Sequence, residues 1–145
     1  MPRFIPVLWV LTCSALLLGA EDKAAENHDP LAGSWEVVSM LIDGESNQIS
    51  ETVLTCKDGS YMLKVGDRQI EAGKYKLDAK AEPKTIDLEI TEGDDRGKRQ
   101  FGIWKFEKEE LVLCFAFPAA DQRPKEFSGA KDSEQILVRL KKRTR

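Results

Sequence analysis

From Leu31 onward the chain is interrupted about every ten residues by a turn pair built on glycine. Asp43-Gly44, Asp58-Gly59 and Gly66-Asp67 follow one another with only short runs between them. Such pairs supply the positive φ that tight hairpins need. The runs they bound are too short for helices, and helical periodicity is nowhere sustained, so an antiparallel sheet is predicted. Eight strands are expected, at residues 35–42, 52–57, 61–65, 69–77, 85–90, 99–106, 111–117 and 135–140. The fifth shows the pattern most clearly: Ile86, Leu88 and Ile90 alternate with Thr85, Asp87 and Glu89, giving one face to a core and one to water. The seventh is the most apolar. Residues 91–97 read as a wide loop, residues 118–133 as the one long irregular connection, and Lys141, Lys142, Arg143 and Arg145 as a solvated basic end.

Hairpin-length links between eight short strands specify an all-β domain. The absence of a long crossover before residue 118 favours an eight-stranded up-and-down barrel over the alternative, a β-sandwich. A barrel of this size either fills with its own side chains or leaves room for one small ligand, and the sequence leaves both open.

The N-terminus has a different character. Met1-Pro2-Arg3 is a short positive start, residues 4–18 are apolar, and Gly19-Ala20 precede the charged Glu21-Asp22. This is the layout of a secretory signal peptide over residues 1–20, cut after Ala20, which implies export to the periplasm or the cell exterior. A retained anchor is the alternative, because Leu18 is larger than the residue usually found three positions before the cut. Residues 21–30 read as a polar tether that carries the lone histidine, His28, leaving residues 31–142 as the folded domain. A domain of that length builds one core without metals or staples.

Charge and composition exclude some functions. The chain has 22 Lys and Arg against 25 Asp and Glu, a net charge of −3 with the signs interspersed, so no basic field is laid out for nucleic acid. No apolar run after residue 20 is long enough to span a bilayer, and no integral membrane segment is expected once the signal is removed. Cys56 and Cys114 survive processing into a compartment that permits oxidation, yet each lies in an apolar run where a buried free thiol behaves as a small hydrophobe. Pairing and separate burial both remain open.

The head of the first strand, Leu31-Ala32-Gly33-Ser34-Trp35, resembles the Gly-x-Trp opening of lipocalins and their calycin relatives. Further motifs follow in order: Val37-Val38, Asp43-Gly44, Gly73-Lys74-Tyr75-Lys76-Leu77-Asp78, Pro83-Lys84-Thr85-Ile86-Asp87-Leu88, Gly102-Ile103-Trp104, Leu111-Val112-Leu113-Cys114-Phe115-Ala116, and Arg123-Pro124-x-x-Phe127. Taken together, residues 31–142 resemble a lipocalin-like domain family best known from planctomycete bacteria. The resemblance implies a lipocalin-like β-barrel, often exported, with no activity, substrate or cofactor established. Trp104 stands where the family commonly has tyrosine, and Cys56 has no counterpart there. In lipocalins a basic side chain from the last strand covers the Gly-x-Trp tryptophan, a part that Arg139 or Lys142 could take for Trp35.

Candidate chemistry is sparse. Trp35 reads as a core plug or, alternatively, a ligand platform; Tyr61, Tyr75, Phe101 and Trp104 could line a cavity, but a one-residue slip would turn each to the other face. Arg123, beside a stiff proline, could hold a carboxylate or phosphate at the barrel mouth; otherwise it ties the long loop to backbone carbonyls while Phe127 caps the core. The ligand-binding candidates are therefore Trp35, Tyr75, Trp104 and Arg123. Cys114 has no histidine within the domain to activate it. Glu92, Asp94 and Asp95 lack the spacing of a calcium loop. No catalytic, metal or cofactor site is expected. The function expected is binding of a small apolar or amphipathic ligand, or else protein interaction through a barrel with a filled core.

Overall fold

The computed structural model describes residues 29–47 and 49–144, so the signal-peptide and most of the tether readings, His28 included, lie outside the described residues. Among the described residues the fold is all-β, with nine strands: β1 (Gly33–Ile42), β2 (Glu45–Asn47), β3 (Thr52–Lys57), β4 (Ser60–Val65), β5 (Arg68–Asp78), β6 (Lys84–Gly93), β7 (Arg99–Glu107), β8 (Glu110–Ala116) and β9 (Gln135–Lys142). Every pairing is antiparallel. The order β1-β3-β4-β5-β6-β7-β8-β9 follows the chain, and β1 also pairs with β9, which closes eight strands into a barrel and excludes the sandwich. The extra strand, β2, is three exposed polar residues that fold back on the end of β1, where β1 has parted from β3.

The hairpins form where the turn pairs predict them. Between β3 and β4, Asp58 and Gly59 both have positive φ, 51° and 79°, the combination that matches the twist of the flanking strands. Three β-bulges interrupt the alternation. Val38 is the extra residue in β1, Ile70 in β5 and Thr91 in β6, each falling at a break in register. A bulge bends its strand and resets which residues face inward, as closing a small barrel requires. In β1 the inward set accordingly runs Trp35, Val37, then Met40.

One end of the barrel is plugged. Leu31, Trp35, Trp104 and Leu111 are all 4% exposed or less and belong to one apolar cluster. The Trp35 indole donates to the Leu31 carbonyl at 2.9 Å, and Trp104 donates to the Thr85 carbonyl at 3.0 Å. Phe106 packs against both rings, tilted on Trp35 and edge-to-face with Trp104, with centroids 6.1 and 5.7 Å away. The basic residue over Trp35 is Lys142, 4.7 Å from the ring centroid, and its ammonium also donates to the Ala32 carbonyl at 2.6 Å. Arg139 points to the other face, toward Glu107 and Glu110.

The 117–134 connection is a strap laid over the outer face of β7, β8, β9 and β1. Gly129 packs so closely that a Cβ there would sit 2.7 Å from the Leu41 carbonyl oxygen and 3.1 Å from the Leu137 side chain. Its carbonyl accepts from the Gly44 amide at 2.6 Å. Under the strap, Ile103, Val112 and Cys114 are wholly buried although they point away from the lumen. That explains the apolarity of β8: Leu111, Leu113 and Phe115 face the lumen while Val112, Cys114 and Ala116 face the strap, so neither side meets water.

Candidate functional site

Above the plug the lumen is not filled. A cavity of about 240 Å³ runs from Leu31 and Tyr75 up to the mouth, where Glu71, Asp95 and Pro118 line it. Its wall comes from inward positions of nearly every strand: Met40 on β1, Leu54 on β3, Leu63 on β4, Leu88 on β6, Leu113 on β8 and Val138 on β9 are representative. Alternation in half-buried strands puts these side chains on one face, and the closed sheet makes that face concave.

Few polar groups enter this space. Tyr61 on β4 donates its hydroxyl to Glu71 Oε1 on β5 at 2.8 Å. Burial pushes the Glu71 carboxyl above the usual carboxylate range, with nearby Asp95 adding to the effect and the Tyr61 bond opposing it. The Tyr61 phenol is also raised, by burial and then by the Glu71 charge. Asp95 is held by Lys98 at 2.9 Å. Gln100 on β7, 6% exposed, donates to the Ala116 carbonyl at 2.9 Å. Deeper down, the Tyr75 hydroxyl donates to Asp29, which also accepts from the Leu31 amide at 2.9 Å, so the residues just before β1 are bound into the barrel floor. Cys56 lies in the same region; burial first, and Asp29 second, push its thiol up to about 12.

Of the four residues singled out from sequence, Tyr75 alone lines the cavity. Trp35 and Trp104 belong to the plug beneath it, with both indole N–H groups already bonded. Arg123 stands on the strap outside the barrel. Its guanidinium donates to the carbonyls of Gly102 at 2.9 Å and Ile86 at 3.2 Å, pairs with Asp87 at 2.6 Å and lies 5.2 Å over the Phe101 ring. It fastens the strap to the wall instead of facing the mouth. Phe127 does not cap the core: it too is on the strap, with the Lys105 ammonium 4.5 Å above its ring. Phe101 likewise faces outward, because β7 turns its even-numbered residues to the lumen.

Cys56 and Cys114 are free thiols among the described residues and lie on opposite faces of the wall. Cys56 lines the cavity, whereas Cys114 Sγ sits under the strap, 3.4 Å from the carbonyl oxygens of Glu126 and Ser128. Burial raises the Cys114 thiol as well. Among the described residues no group of three His, Cys, Asp or Glu side chains is placed to hold a metal ion.

Glu71, Asp95 and Gln100 are polar lining residues that sequence reasoning did not place at a cavity. A signal for the first was present: Glu71, Gly73, Tyr75 and Leu77 share one parity on β5, so an inward Tyr75 carries Glu71 inward with it. No family model, curated protein or solved structure matches the chain.

Proposed function

We propose that this domain binds one small, mainly apolar molecule in the barrel lumen and performs no chemistry on it. The observation that carries the reading is the cavity itself: about 240 Å³ of space walled by aliphatic and aromatic side chains, above a plug that is densely packed. Protein interiors are normally packed to crystal density, and an apolar void of such a size takes up a hydrophobic guest in preference to water. An apolar cavity of about 150 Å³ accepts benzene, so this one suits a guest on the order of ten heavy atoms. The resemblance of residues 31–142 to lipocalin-like domains agrees with this use of the fold, and the layout of residues 1–20 agrees with a site of action outside the cytoplasm.

Binding without catalysis fits the side chains available. The two thiols are buried and raised, and Tyr61 and Tyr75 are raised phenols already committed to carboxylates. A nucleophile or base of this kind has too little of its reactive form at neutral pH.

The test is native mass spectrometry of protein purified from its own host, together with calorimetric titration of indole. A retained small molecule, or indole binding that Val138→Phe abolishes by growing into the lumen, is the expected result. Wild-type protein that arrives empty and binds indole no better than Val138→Phe would defeat the proposal.

A further inference from the structure

The lumen is apolar but not electrically neutral, and the sign at its mouth selects among guests. The lining contains two carboxylates, Glu71 and Asp95, and no Lys, Arg or His. Asp95 is compensated by Lys98 at 2.9 Å. Glu71 is different: no basic side chain lies within ion-pair distance of it among the described residues, and its one hydrogen bond, from Tyr61, engages Oε1. Oε2 is left as an acceptor at the upper rim of an otherwise greasy cavity.

We infer that the guest is a small apolar amine, whose protonated nitrogen bonds Glu71 at the mouth while its hydrocarbon part fills the lumen below. This rests on the lumen being a binding site. Half-buried carboxylates are costly to ionise without a partner, and a cation brought in by the ligand supplies one. An alcohol can only hydrogen-bond this carboxylate, whereas an ammonium adds the attraction of opposite charges to its hydrogen bond, so the amine outcompetes an alcohol of the same shape. A carboxylic acid, the head group of fatty acids, meets the opposite fate: its charge faces Glu71 with no lining cation to offset the repulsion. Tyr61 positions the acceptor. Its hydroxyl fixes the Glu71 side chain in one orientation, which lowers the entropy cost of ligand capture.

The experiment is calorimetric titration of the purified protein at pH 7.5 with three ligands of one shape: 2-phenylethylamine, 2-phenylethanol and phenylacetate. The amine is expected to bind about tenfold more tightly than the alcohol, and phenylacetate weakest of the three. Glu71→Gln, which keeps an acceptor for Tyr61, is expected to bring the amine to within about threefold of the alcohol while alcohol binding is retained, which also reports that the variant is folded. Because the whole domain is acidic, this variant separates local recognition from general attraction of cations. If phenylacetate binds as well as the amine, or the amine keeps its lead in Glu71→Gln, the amine inference fails and the lumen reading stands. If none of the three binds while indole does, the amine inference fails alone; if indole does not bind either and the protein arrives empty, both fall.

Discussion

Trp35→Ala is the substitution whose cost the structure defines best. The ring is 4% exposed, is roofed by the Lys142 ammonium at 4.7 Å and meets Phe106 at 6.1 Å, and its N–H bonds the Leu31 carbonyl at 2.9 Å. Truncating a buried Trp to Ala costs about 3–5 kcal/mol through lost transfer energy and the cavity left behind. Here the Leu31 carbonyl also loses its partner, a term of about 1 kcal/mol, and the cation over the ring loses its aromatic face. The upper part of that range, about 4–5 kcal/mol, is therefore expected. For a domain of this size about 4 °C of Tm accompanies each kcal/mol, which puts the thermal midpoint down by roughly 15–20 °C. Urea unfolding followed by far-UV circular dichroism measures the difference directly. Trp35→Phe serves as the partner variant: it keeps most of the ring volume and loses only the N–H and part of the packing, and about 1–2 kcal/mol is expected. A loss below about 1 kcal/mol for Trp35→Ala, at an unchanged m value, would refute the assignment of this ring as the plug of the barrel.

Glu71→Gln is expected to stabilise the protein in a pH-dependent way: the folded-state carboxyl is raised above its unfolded value, so the stability it contributes is complete below pH 4 and is lost as pH rises through the raised value. Urea midpoints of wild type and variant should thus draw apart between pH 4 and pH 7.5 in favour of Gln, with Tyr61 and Asp95 unchanged around it; a pH-independent difference would contradict the assignment. Gly102→Ala places a Cβ 2.4 Å from the Phe115 ring and 2.8 Å from the Cys114 carbonyl oxygen, and a loss of about 1–3 kcal/mol is expected by thermal melt, whereas a neutral effect would show that β8 yields freely. Arg123→Ala removes the contacts to Gly102, Ile86 and Asp87 that hold the strap, so Cys114, buried under the strap in the native protein, should label with a thiol reagent at least about tenfold faster while Cys56 does not. A Cys114 labelling rate unchanged from wild type would mean that the strap is fastened elsewhere.

The eight barrel strands and their closure were legible because turn chemistry is local. Asp58-Gly59 and its counterparts impose their conformation regardless of what the rest of the chain does, and the eight barrel strands are separated by short links or by the one conspicuous long connection. The missed strand, β2, is Glu45-Ser46-Asn47, too short to alternate and exposed throughout, so no periodicity announces it. Side-chain direction was less legible. Phe101 and Tyr75 looked equally able to face a lumen, because alternation within a strand does not say which of its two faces points inward, and the bulges at Val38, Ile70 and Thr91 reset the parity within β1, β5 and β6. Arg123 was readable as a residue that ties a loop to carbonyl groups, yet its face of the barrel depends on contacts between residues 87, 102 and 123 that no local pattern encodes. The same holds for Cys114. Its apolar neighbours indicated burial correctly, but the covering came from the strap and not from the lumen.

The strap makes the barrel wall unequal around its circumference. Along β7, β8, β9 and β1 the sheet is sandwiched between lumen and strap, so an amide there is released only when two packed layers separate together. Along β3, β4 and β5 a single layer stands between cavity and water. Spontaneous breathing therefore concentrates on that thin side, in the β4–β5 hairpin next to Glu71, and hydrogen exchange should fall off in both directions around the ring from it. A guest held in the lumen would then leave past the thin side, with a residence time set by how often that hairpin opens and not by any motion of the clamped half.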